Sequence, residues 1–195
     1  MSALVSETIL TLYEQLLALP EYVIGEIING RLYTQPRPAG PHTAASAALE
    51  GELYGPYHKG RGGPGGWWIL TEPELHFVRD TEVLVPDLAG WRRQRLPKIP
   101  AGHRFEVVPD WVCEILSPRT AKTDRNEKMP VYARYGVAYL WLVDPIARTL
   151  EVFRLQNSRW LVVGLYRDNA EVSPPPFQDS VLALADLWVE SGGSE

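Results

Sequence analysis

Cysteine is nearly absent. A single Cys113 in 195 residues excludes an internal disulfide and any zinc site built on cysteines. No stretch approaches the roughly 18–20 consecutive apolar residues that span a bilayer, and no basic start followed by an apolar run marks a signal peptide. A cytoplasmic protein with no membrane partner is expected. Positive charge is also short: 19 Lys and Arg stand against 24 Asp and Glu, for a net charge of −5. Binding to phosphate polymers usually leaves a basic footprint, so any such partner must be met by a local cluster. A metal enzyme would itself need carboxylates that lower the average. Internal repeats and low-complexity blocks are missing. The glycine-rich stretch 60–66 follows no strand pattern and lacks a terminal GK[ST], so it reads as a connection and not as a phosphate loop.

What is present suits one domain over 1–195 with one sizeable core. Hydrophobic residues make up 45% and charged residues 22%, with 7 Trp and 9 Tyr to bury. Helical spacing from Ser6 to Leu19 predicts a first helix, capped by Ser6 and ended by Pro20. Tyr22–Ile28 and Arg31–Gln35 flank Asn29-Gly30, a strong hairpin turn signal. His42 to about Lys59 reads as a second helix. Short strands are expected at 67–70, 75–79 and 83–89, an apolar strand at 111–116, a helix at 124–135 and a buried strand at 137–143. Two further strands (150–155 and 160–166) and a short C-terminal element (181–189) follow. Strands mixed with helices indicate an α/β or α+β fold, and 111–143 has the order of a parallel crossover unit.

Three charged residues stand out. Val83, Val85 and Asp87 share one face if 83–89 is a continuous strand. Glu114 interrupts an apolar run, where a carboxylate is costly unless neutralised. Lys128 falls on one helical arc with Arg125, Met129, Tyr132 and Tyr135, facing the core, where an ammonium needs a partner. Two carboxylates and a lysine suit hard-cation chemistry with Mg²⁺ or Mn²⁺. Each also has a plainer reading: Asp87 as a turn residue, Glu114 as a salt-bridged strand end, Lys128 as a surface lysine paired with Asp124 at i−4. Asp124 and Glu127 resemble a helix capping box. Pro130 should kink or restart the helix that carries Lys128.

The segment from Val83 to Pro145 resembles the Uma-two family of endonucleases. The matching pieces are VPD (85–87), PDWVCEILSPRT (109–120), the Asp124 and Lys128 pair, and YARYGVAYLWLVDP (132–145). Upstream, VIGEIINGRL (23–32) and His42 also match, so the resemblance spans about residues 21–155, between an N-terminal helix (1–20) and C-terminal strands and tail (156–195). The family is similar to the PD-(D/E)XK nucleases, which implies a restriction-endonuclease-like core: a mixed central β-sheet flanked by helices. The resemblance implies that Asp87, Glu114 and Lys128 are catalytic. Asp87, Glu114 and the Ile115 carbonyl would hold Mg²⁺ or Mn²⁺, with Glu26 as an added carboxylate. The usual lysine position, two residues after the acid, is Leu116 here, so Lys128 is implied to reach back from the following helix, with Lys122 as its rival. His42 is a candidate substrate contact. Arg92 and Arg93, in a basic loop over 92–103, could touch phosphates or merely be solvated. The implied activity is cleavage of phosphodiester bonds, leaving a 5′-phosphate, with DNA as the expected substrate and a homodimer the simplest way to cut two strands. A fold-only binding module and hydrolysis of another phosphoester are the alternatives.

Overall fold

The computed structural model describes residues 9–36 and 40–189. Helix α1 (Leu12–Leu17) starts at Thr11, whose hydroxyl accepts from the Glu14 amide while the Glu14 carboxylate accepts from the Thr11 amide. That capping box sets the start later than the spacing suggested. The expected cap at Ser6 lies outside the described residues. Strands β1 (Val23–Ile28) and β2 (Arg31–Pro36) form the expected hairpin. Asn29 and Gly30 both take positive φ, 51° and 72°, the condition for a tight turn whose twist matches the strands. Helix α2 (Pro41–Leu53) runs on through a π turn (Tyr54–His58).

Next come β3 (Trp67–Thr71), β4 (Glu74–Val78), β5 (Glu82–Leu84), β6 (Leu88–Arg92), β7 (Arg104–Phe105) and β8 (Trp111–Ile115). A continuous helical run, α3 (121–135), leads to β9 (Tyr139–Asp144), β10 (Thr149–Gln156) and β11 (Arg159–Arg167). The short pair β12 (Glu171–Val172) and β13 (Leu182–Ala183) ends in a 3₁₀ turn (Leu184–Leu187).

The main sheet is six-stranded, in the order β11-β10-β9-β8-β6-β3. Its β8 and β9 are parallel, joined across by α3, and the other neighbours are antiparallel. It is thus the expected mixed sheet with flanking helices, and 111–143 is the expected crossover unit. One face packs on α2 and the C-terminal turn through Trp111, Trp141, Leu49 and Phe177. The other face packs on α3 through Val112, Leu140, Leu142 and Tyr132. Central strands buried on both faces need apolar side chains throughout, which makes the one charged residue of β8, Glu114, conspicuous.

A second sheet has the order β2-β1-β5-β4-β7. Here the single strand expected at 83–89 divides. The chain leaves this sheet after Leu84 and enters the main sheet at Leu88. Pro86 lacks the amide that a continued ladder would need. Residues 85–87 therefore cross between sheets, so Val83, Val85 and Asp87 do not share one strand face.

Candidate active site

The crossing at 85–87 is where the acidic residues converge. Glu114, next to last in β8, is 2% exposed. The amide of its neighbour Ile115 donates to Asp87 Oδ2 at 2.6 Å, tying the crossing segment to β8. Glu26 comes from β1 in the other sheet, and its Oε1 accepts from the Val85 amide at 2.8 Å. Carboxylates from two sheets thus meet at one break in the strands.

Lys128 occupies the middle of this group. Its Nζ lies 2.8 Å from Glu114 Oε1, 2.9 Å from Glu26 Oε1 and 3.9 Å from Asp124 Oδ1. It also donates to the Val85 carbonyl at 3.2 Å. The side chain is 1% exposed. Tyr132 donates its hydroxyl to the same Glu114 oxygen at 2.5 Å. Position 116 offers no ammonium: Leu116 is buried among apolar neighbours.

The helix delivers these groups through a local irregularity. Within α3, Asp124–Lys128 forms a π turn, with the Met129 amide bonded to the Asp124 carbonyl. Pro130 follows directly, at the start of the final α-helical segment. The wider turn ahead of it accommodates a ring that has no amide to donate. A wider turn brings residues four apart onto one side, so Asp124, Lys128 and Tyr132 all point inward. Arg125, expected on the Lys128 arc, instead turns to the flank and pairs with Glu151 on β10. The capping box expected from Asp124 and Glu127 does not form: the helix begins earlier, at Ala121, and Asp124 is buried beside Lys128.

His42, near the start of α2, closes the other side. Its Nε2 stands 3.2 Å from Asp87 Oδ1. Its Nδ1 is buried without a hydrogen-bond partner. Burial works against a protonated ring, yet the bond and charge of Asp87, reinforced by Asp124 and Glu72, hold the His42 pKa above the ordinary histidine value. Burial pushes the Glu114 carboxyl far up, against the pull of Lys128. Burial likewise raises Asp124 to about 6. Lys128 is buried too, but the charges of Glu114, Glu26 and Asp124 outweigh that cost and keep it protonated. Four carboxylates (Glu26, Asp87, Glu114, Asp124) thus gather around Lys128 and His42. As the side chains stand, no three His, Cys, Asp or Glu groups among the described residues form a ready cation cage.

The structure therefore brings together Asp87, Glu114, Ile115, Lys128, Glu26 and His42, which sequence places in five separate elements. Lys122, the rival lysine, is exposed. Arg92 ends β6, about 17 Å from Asp87 at roughly 3.3 Å per residue, and Arg93 follows it. Sequence reasoning passed over Glu72 and Tyr132 as members of the site. Glu72 follows β3 and its amide donates to the Asp87 carbonyl at 3.0 Å. Nothing in its local sequence signals this, because the approach depends on β3 pairing with β6. Tyr132 was legible as a core-facing residue four after Lys128, but not its carboxylate partner.

A mixed sheet flanked by helices, with carboxylates and a buried lysine at a strand break, defines a nuclease-like fold. The Uma2 family model, described as "putative restriction endonuclease", matches residues 11–185, and the chain belongs to that family. Its fold is also that of a crystal structure described as a "putative nuclease belonging to DUF820" from Anabaena variabilis ATCC 29413. That chain is 24% identical, with a TM-score of 0.68 over 91% of this chain and 97% of its own. No curated protein matches.

Proposed function

We propose that this protein is a metal-dependent endonuclease that hydrolyses phosphodiester bonds in DNA at the Asp87–Glu114–Lys128 site. Family membership supports the nuclease class. The observation that carries the particular site is the fully buried Lys128 ammonium, held between Glu114 and Glu26 beside Asp87. A purely structural core has no use for so much buried charge, which apolar residues of similar volume replace at no cost.

The donor set suits Mg²⁺ or Mn²⁺: its side-chain oxygens are hard carboxylate ligands. Asp87 and Glu114, with the Ile115 carbonyl, would hold the ion, and Glu26 would support them. When bound, a divalent ion polarises a phosphate oxygen and acidifies a water. The protein's own groups do the rest. Lys128 orients the attacking water and offsets charge building on the phosphate. His42, held on Asp87 through its Nε2, would contact the phosphate. Water adds to phosphorus, the P–O3′ bond breaks, and a 3′-hydroxyl and a 5′-phosphate result. Cutting both strands of a duplex is served by a homodimer with two such sites.

The competing reading, a nuclease-like fold without catalysis, draws on the lack of a ready three-ligand cage. Calorimetric titration of Mn²⁺ and Mg²⁺ into wild type and Glu114→Ala, with plasmid nicking by both, decides between them. The nuclease reading expects metal binding and nicking that vanish together in the variant. Absence of metal binding by the wild type would overturn it.

A further inference from the structure

Three elements begin at the acidic site and end together elsewhere. β6 runs from Leu88, next to Asp87, to Arg92. β3, antiparallel to it, runs from the Trp67–Arg92 pairing to the Thr71–Leu88 pairing. α2 and its π turn run from His42 to His58, roughly 24 Å at 1.5 Å per residue. At their shared far end, cations and aromatic rings are stacked. Lys59 Nζ lies 5.2 Å from the Tyr54 ring. Tyr54 packs on His58 at 4.2 Å, and His58 meets Trp68 edge-on at 5.4 Å. The Arg93 guanidinium covers Trp68 at 3.9 Å and donates to the carbonyls of His58 and Trp67. On the other side of β3, Arg92 covers Trp67 at 4.5 Å. Arg61 is anchored alongside by its amide, bonded to the Gly55 carbonyl at 2.9 Å.

The charge here is concentrated and unspent. Among the described residues, Lys59, Arg61, Arg92, Arg93 and Lys98 have no carboxylate partner; only Arg95 is paired, with Asp110 at 2.8 Å. All but the half-buried Arg93 are exposed. In a chain of net charge −5, such a cluster is the local footprint that a polyanion requires. Stacking on Trp67 holds the Arg92 guanidinium plane in place with its edge open to phosphate, while Arg93, bonded to two carbonyls, braces the surface and adds its charge.

We propose that this end of the molecule, formed by Lys59, Arg61, Arg92 and Arg93, is a docking surface for the sugar–phosphate backbone of DNA. The identity of the polyanion rests on the nuclease reading; the location rests on the stacked cations alone. The 17 Å or so along β6 equals about five base pairs at 3.4 Å each, so a single duplex is long enough to reach both ends. This surface supplies affinity without base recognition.

The test is fluorescence anisotropy with a labelled duplex of about two helical turns, in EDTA so that no cleavage occurs. Wild type is compared with a Lys59→Gln, Arg61→Gln, Arg92→Gln variant, all exposed positions. The control is Arg148→Gln, Arg154→Gln, Arg167→Gln, at the opposite edge of the same sheet. Expected is at least a tenfold loss of affinity in the first variant and a log K against log salt slope shallower by about 2–3, with the control unchanged. Equal losses in both variants, no loss in the first, or no duplex binding by wild type overturns the docking surface. Nicking is read on the same preparations with Mn²⁺. Patch-dependent binding without nicking would sink the catalytic reading and leave this one standing; nicking by wild type with patch-independent binding does the reverse.

Discussion

The two ends of β6 solve the placement of charge in opposite ways. At the Asp87 end the charges are buried: Glu114, Glu26, Asp124 and Lys128 are each 3% exposed or less. At the Arg92 end they are exposed, apart from the half-buried Arg93, and lean on Trp67, Trp68 and Tyr54. Buried charges hold only as a set, because each removes a desolvation penalty from another. Exposed charges are hydrated, and each is nearly independent of its neighbours. The first end is therefore fragile and specific in geometry, and the second is tolerant and additive.

Substitutions should separate the two ends by size of effect. Lys128→Met leaves three carboxylates without their shared cation. A loss of about 3–5 kcal/mol in urea unfolding is expected, and a loss under 1 kcal/mol would mean that the site hydrates readily. Asp124→Asn should act the other way. With the folded pKa raised to about 6 by burial, the ionised form is disfavoured in the folded state. Stability is lost as pH rises through 6, so the asparagine variant gains up to about 3 kcal/mol at pH 8. That gain should shrink as pH falls from 6 and vanish below 3.8, where the native aspartate is protonated in both states. Melting curves across this range check both sign and window. Tyr132→Phe removes a buried hydroxyl from Glu114 and should cost about 1.5–3 kcal/mol, with nicking slowed as the carboxylate loses its orientation. Smallest of all, Arg95→Ala removes a half-exposed guanidinium from the buried Asp110, which keeps its bond from the Arg92 amide at 2.8 Å, and about 1 kcal/mol is expected in the same unfolding assay.

Much of the fold could be read in the chain. The Asn29-Gly30 hairpin, the apolar strands around Glu114 and Leu142, and the helix between them follow from period and turn chemistry, which act over a few residues. The start of α1 was misplaced because the Thr11–Glu14 capping box competes with a longer hydrophobic pattern. The division of 83–89 was missed because alternation persists through Val85 although Pro86 cannot extend a ladder. At the site, Asp87, Glu114 and Lys128 stood out as charges in apolar surroundings, and the family resemblance grouped them.

Local pattern thus carried the element types, the crossover unit and the identity of the charged residues that have no place in a plain core. Tertiary structure alone decided that the chain changes sheets at 85–87, that a π turn ahead of Pro130 swings Asp124 and Lys128 to one side, and that Glu72 comes beside Asp87. It also decided that Lys59 and Arg61 share one end with Arg92 and Arg93. Backbone pattern is governed by hydrogen bonds and side-chain period within one segment. Which distant charges meet depends on strand pairing and on the desolvation that burial imposes, and neither exists until the sheets have closed.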